Sequence, residues 1–268
     1  MPRAQITPDL EMHYRDECFA DDWAAPANML LLHGNAESGA AWNGLMPVLG
    51  RRFRVVRPDM RGFGQSTPMA LDYKWSVDRI IADFIALADS LGLDTFHIGA
   101  AKVACPIALR LAARHPGRVR SLAVLGGIVS GEVSVGARAA SWLEHIEQKG
   151  VESWARWTMP GRLGSTTSPG MMEGWAKLMG RTPLSTQLGF IRSVPAIDVR
   201  PDLASIQCPT LVVTTDGSGL GSVEAVRAWQ QTIPKSEFMV VPGDSYHVAA
   251  THPEVCAAAM VDLIRRRT

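Results

Sequence analysis

Thr95-Phe-His-Ile-Gly-Ala-Ala-Lys-Val-Ala-Cys-Pro-Ile-Ala-Leu109 is the stretch that decides the fold of this chain. The apolar run from Phe96 to Ile98 gives way to small residues, then to a helical pattern that continues through Leu111 and Ala112. The order is strand, tight turn, helix. Such a turn projects its tip residue beyond the carboxyl edge of a sheet, where α/β proteins hold their chemistry. Counting along the stretch puts Lys102, not a serine, at the tip.

Outward from this stretch the same alternation recurs. Upstream, 28–33 and 53–57 are short apolar runs closed by Gly34 and Pro58, too short for helices and therefore strands. Residues 6–15 read as a single edge strand. Residues 41–49 carry Trp42, Leu45, Met46 and Leu49 on one helical face, and 77–91 is strongly amphipathic, with Gly92 as its C-cap. Downstream, 104–115 is a helix ended by Pro116, and 119–125 is a strand. From about 130 to 201 only helical patterns are found, at 137–148, 151–158, 171–179 and 185–194. Alternation resumes with a strand at 210–214, a helix at 223–232, a strand at 237–241 and a closing helix at 253–266. The expected architecture is α/β: a mostly parallel sheet flanked by helices, formed by 1–129 and 202–268, with a helical cap of 130–201 inserted before the late strands. A cap at a strand's carboxyl end is well placed to act as a lid.

With 268 residues, 47% of them hydrophobic and 20% charged, the chain can bury a full core as an ordinary globular protein. A formal net charge of +1 gives no reason to expect nucleic acid or an anionic membrane as partner. No apolar run approaches the roughly 20 residues of a membrane span, and the first ten residues lack the apolar centre of a signal peptide. Cys18, Cys105, Cys208 and Cys256 show no metal-type spacing, so reduced thiols and a cytoplasmic location are expected. Nothing in the sequence asks for a metal or a cofactor. The expected partner is a small carbonyl or carboxylate compound, with a homodimer as one possible assembly.

Five landmarks in order give the chain its resemblance to the α/β-hydrolase superfamily: His33-Gly34 after a buried strand; Asp59-x-Arg61-Gly62-x-Gly64-x-Ser66; the strand–turn–helix; the helical insertion; and a late Pro242-Gly-Asp-x-x-His247. The resemblance implies a nucleophile in a G-x-S-x-G elbow, an acid after a later strand and a final histidine. Two registers compete at the elbow. Setting the family's first glycine on Gly99 puts Ala101 at the tip, as a serine-to-alanine replacement would, and leaves the next helix one residue too long. Sliding by one puts Lys102 there, and Pro116 then falls at the family's usual distance with no gap. A lysine among Ala100, Ala101, Val103, Ala104 and Cys105 sits in a low-dielectric setting that lowers its pKa. Neutral, it is an amine nucleophile able to form a Schiff base; charged, it steadies an anion. A surface lysine on an inert elbow is the plainer alternative.

His247 matches the final histidine. The acid is less clear: alignment of 208–213 puts Ser218 where the triad aspartate usually stands, Asp216 could substitute through a shifted loop, and the alternative position at Gly126-Gly127 is empty. The resemblance also implies an oxyanion hole from the backbone of Asn35 or Ala36 and of Val103. His33, Ala101, Trp142, Trp157, Trp175 and Tyr246 are the expected pocket wall. Arg156, Arg162, Arg181 and Arg192 could reach an anionic substrate, although solvated arginines are the simpler account of each. Three activities fit: lyase-like cleavage, decarboxylation or retro-aldol chemistry on a small carbonyl compound through Lys102; ester or lactone hydrolysis with His247 activating water; or non-catalytic binding.

Overall fold

The computed structural model describes residues 2–21 and 23–268. Among them, eight strands form one sheet in the order β1-β2-β4-β3-β5-β6-β7-β8. These are β1 (Arg3–Thr7), β2 (Leu10–Glu17), β3 (Ala27–Leu32), β4 (Phe53–Pro58), β5 (Phe96–Ala101), β6 (Val119–Leu125), β7 (Thr210–Thr215) and β8 (Ser236–Val241). From β4 to β8 every neighbouring pair is parallel, while β2 runs antiparallel to both β1 and β4. Residues 6–15 are therefore not one strand. Pro8 and Asp9 form the turn of a hairpin in which Thr7 pairs with Leu10, and the apolar pattern runs through that turn without marking it.

The helices are α1 (Met46–Leu49), α2 (Val77–Ser90), α3 (Ala104–Arg114), α4 (Ala137–Leu163), α5 (Pro169–Gly180), α6 (Leu184–Ser193), α7 (Val223–Gln230), α8 (Val248–Thr251) and α9 (Pro253–Arg267). Alternating residues of the strands feed two cores. Leu30, Leu32, Ile98 and Ala100 pack with Ile80, Phe84 and Leu87 of α2 and Ile107 and Leu111 of α3. Met29, Leu31 and Ala101 point the other way, onto Trp42, Leu45 and Leu49 and onto Met260 and Leu263 of α9. A sheet covered on both faces buries nearly every strand position, as in β5 and β7, where all six residues are buried.

Between β6 and β7, helices α4 to α6 build a third cluster of their own, with Trp142, Ile146, Trp154, Met159, Met179 and Ile191 buried together. Gly150, at φ 81°, breaks α4 into two lengths. The second length runs past Pro160 to Leu163, five residues beyond the expected stop at 158. Those extra residues bring Arg162 inside the molecule. Among the described residues no helix is long and apolar enough to cross a membrane.

Candidate active site

β5 ends at Ala101, which pairs with Leu125, and the chain turns at Lys102. Lys102 adopts φ 54°, its N–H donates to the Leu125 carbonyl at 3.2 Å, and its own carbonyl accepts from Cys105 at 3.0 Å as α3 begins. The tip is thus held from both sides in a left-handed conformation disfavoured for a residue with a side chain. Ala36, at φ 60°, is the other non-glycine residue in that region among those described, and it lies on the facing loop after β3. Ala101 itself packs in the core behind the turn and does not line the cavity.

The Lys102 side chain runs over Gly34, where a β-carbon would collide with its Cε. The ammonium ends against the carboxylate of Glu37, and both side chains are buried, at 5% and 0% exposure. The other Glu37 oxygen accepts from the Gly34 N–H at 2.9 Å. His247 Nε2 approaches the oxygen that Lys102 holds, at 3.1 Å, but off the direction of a hydrogen bond, so neither ring nitrogen has a hydrogen-bond partner. Burial would raise the Glu37 pKa, yet Lys102 and His247 together outweigh it and keep the carboxylate ionised. Burial pushes Lys102 down to about 8 despite the opposing pull of Glu37. Burial, and secondly the Lys102 charge, lowers His247, so its imidazole is neutral at neutral pH. Trp175 closes this cluster, its ring 4.7 Å from the His247 ring and 5.9 Å from Lys102 Nζ.

Glu37 was missed by sequence reasoning, which sought an acid only at the two positions where the superfamily keeps one. Neither position supplies it. Asp216 accepts from the Gly243 N–H at 2.8 Å and Ser218 Oγ from the Leu220 N–H at 3.3 Å. Both serve the loop after β7, and neither bonds to His247. At Gly126 a side chain would strike the Tyr246 carbonyl, so the loop that carries His247 fills the alternative place. A signal for Glu37 did exist: a lysine expected in an apolar turn calls for a counter-ion, and Glu37 stands just beyond Asn35 and Ala36.

Two other expected pocket residues lie elsewhere. His33 is tied to backbone, Nδ1 donating to the Gly34 carbonyl at 2.7 Å and Nε2 accepting from Met60 at 2.9 Å, which fixes its tautomer and shapes the loop. Trp157 is 52% exposed and stacks on His145. Trp142 and Tyr246 do line the cavity, together with Asn35, Lys102, Val103 and Arg162. The backbone N–H groups of Asn35, Ala36 and Val103 have no acceptor among the described residues, leaving donors available on both sides of the turn.

The cavity measures about 40 Å³. Arg162, only 4% exposed, is one of the residues that line it. Its Nε donates to Thr158 Oγ1 at 3.0 Å, and its charge lies over the rings of Trp154 at 4.7 Å and of Trp142 and Tyr246, each at 5.8 Å. Its Nη2 has no hydrogen-bond partner. The Arg162 carbonyl accepts from the His247 N–H at 3.0 Å and from Ser245 Oγ at 2.8 Å, which fastens the end of α4 to the histidine loop. Arg156 and Arg192 face solvent, paired with Glu173 and Glu147, and Arg181 is exposed.

Residues 27–158 match a family described as alpha/beta hydrolase fold. A 2-hydroxy-6-oxo-2,4-heptadienoate hydrolase of Pseudomonas putida is 33% identical over 44% of this chain and 44% of its own. A pimeloyl-[acyl-carrier protein] methyl ester esterase of Nitrosomonas europaea is 23% identical over 85% of this chain and 91% of its own. Among solved structures, the enol-lactonase from Burkholderia xenovorans superposes with a TM-score of 0.86 at 20% identity, over 98% of this chain and all (100%) of that one.

Proposed function

We propose that this chain, which has the α/β-hydrolase fold, hydrolyses a small ester or lactone, with His247 as general base and Lys102 as a fixed charge rather than a nucleophile. The observation that carries this reading is that Lys102 and His247 converge on one buried carboxylate, Glu37. An ammonium bound to a carboxylate has its lone pair occupied by a proton, so at neutral pH it is a poor nucleophile. The neutral imidazole beside it is a competent base.

In this scheme His247 takes a proton from water as the oxygen bonds to the substrate carbonyl carbon. The Glu37 carboxylate stabilises the imidazolium that forms, the part an aspartate plays in the usual triad. The N–H groups of Ala36 and Val103, aided by the Lys102 charge, receive the oxyanion. When the tetrahedral intermediate collapses, the carbon–oxygen bond to the leaving group breaks and the imidazolium returns its proton to the departing alkoxide. The products are an acid and an alcohol, or one hydroxy acid from a lactone. Relatives named as hydrolases favour this reading over lyase-like chemistry.

Turnover of short-chain esters and five-membered lactones tests it. His247→Ala is expected to lower kcat by about 10²–10⁴-fold, and borohydride added during turnover is expected to leave Lys102 unmodified. Unchanged turnover in His247→Ala would sink the proposal. A second reading, iminium chemistry at Lys102, draws on the lowering of its pKa to about 8. Borohydride trapping of a ketone or aldehyde on Lys102 would establish that reading instead.

A further inference from the structure

The buried charges in and behind the cavity wall do not cancel. Glu37 is matched by Lys102, and His247 is held neutral by its burial. Arg162 is left over. No carboxylate pairs with it among the described residues, and it is held by Thr158 Oγ1 and three aromatic rings. Aromatic faces offset part of the cost of burying a guanidinium, but they accept no N–H hydrogen bonds in its plane. A buried donor without an acceptor is costly, and a buried charge without a partner more so. The position is also a fixed one, because the Arg162 carbonyl is bonded to Ser245 and His247. Arg162 is thus an aromatic-walled cation with a spare donor, built into the same small cavity as the elbow.

We propose that Arg162 is a carboxylate-binding residue, and that the compound taken by this site is a small acid carrying its ester or lactone carbonyl a few atoms from a free carboxylate. A carboxylate matches the planar guanidinium and neutralises the cavity. Arg162 lines the same cavity as Lys102 and Val103, which places the two groups of the ligand in one small molecule. The word substrate rests on the hydrolase reading; the subsite itself is a matter of binding and stands apart from turnover.

The test is calorimetric titration of the unaltered chain with acetate, butyrate and 4-oxopentanoate, each against its neutral amide, with tryptophan fluorescence as a second signal from Trp142 and Trp154. At least one acid is expected to bind tenfold or more tighter than its amide. That preference should vanish in Arg162→Gln and persist in His247→Ala. Equal binding of acids and amides, no binding of any acid, or a preference that survives in Arg162→Gln would overturn the proposal. Should Arg162→Gln fail to fold, a crystal structure of the unaltered chain with 4-oxopentanoate decides: a carboxylate on the Arg162 guanidinium supports the subsite, and one placed elsewhere refutes it. Failure of the hydrolase reading looks different, as acid preference without turnover.

Discussion

Lys102 and Arg162 are two buried cations in one cavity, and the protein deals with them in opposite ways. Lys102 receives a full counter-charge, Glu37, fixed by a backbone N–H and shared with His247. Arg162 receives aromatic faces and one hydroxyl. The first arrangement is electrically complete and suits a permanent part of the machinery. The second is incomplete by one negative charge and suits a group that waits for a ligand. The difference lies in what surrounds each charge rather than in how deeply it is buried.

The sharpest way to break the comparison is Glu37→Gln. Removing one partner of a buried pair strands the other, at a cost of about 3–5 kcal/mol, which urea unfolding should register. Adding Lys102→Met to that variant should recover most of the loss, because a matched apolar replacement leaves no orphan charge. Arg162→Met should behave differently. The cation–π contacts it loses are offset by the removal of an unpaired charge, so a change of about 1 kcal/mol or less is expected in the same assay. Saturating butyrate should raise the unfolding midpoint of the unaltered chain but not that of Arg162→Met.

A pH dependence sharpens the role of Lys102. Its pKa in the folded chain, about 8, lies below the ordinary 10.5. Between those values the unfolded chain binds more protons, so stability rises with pH across that window, and Lys102→Met should lose the rise. Glu37 has the same sign at the acid end of the scale. Its lowered pKa gives stability that is present above the ordinary 4.5 and lost as pH falls below it. If the ammonium serves as a fixed charge, turnover should decline above about pH 8; if the free amine is the reagent, it should increase there.

The sequence carried the sheet and its helices because strand runs such as 119–125 and helix faces such as Ile80, Phe84 and Leu87 are local patterns with a fixed period. The elbow was legible for the same reason. Counting from Phe96 to Pro116 found Lys102, and the left-handed backbone there is a local property of the turn. Glu37 was not legible, since its pairing with Lys102 joins positions 65 residues apart. Arg162 was visible only as one arginine among several. Its burial depends on α4 continuing through Pro160, which the rule that proline ends helices argued against.

Gly34 ties this site to a single hydrogen atom. The Lys102 chain crosses the space that any larger residue at 34 would occupy. An alanine at 34 would have to displace the Lys102 Cε and so disturb the ion pair with Glu37. The two positions are coupled, so Gly34→Ala should be better tolerated in a Lys102→Ser background than in the present chain.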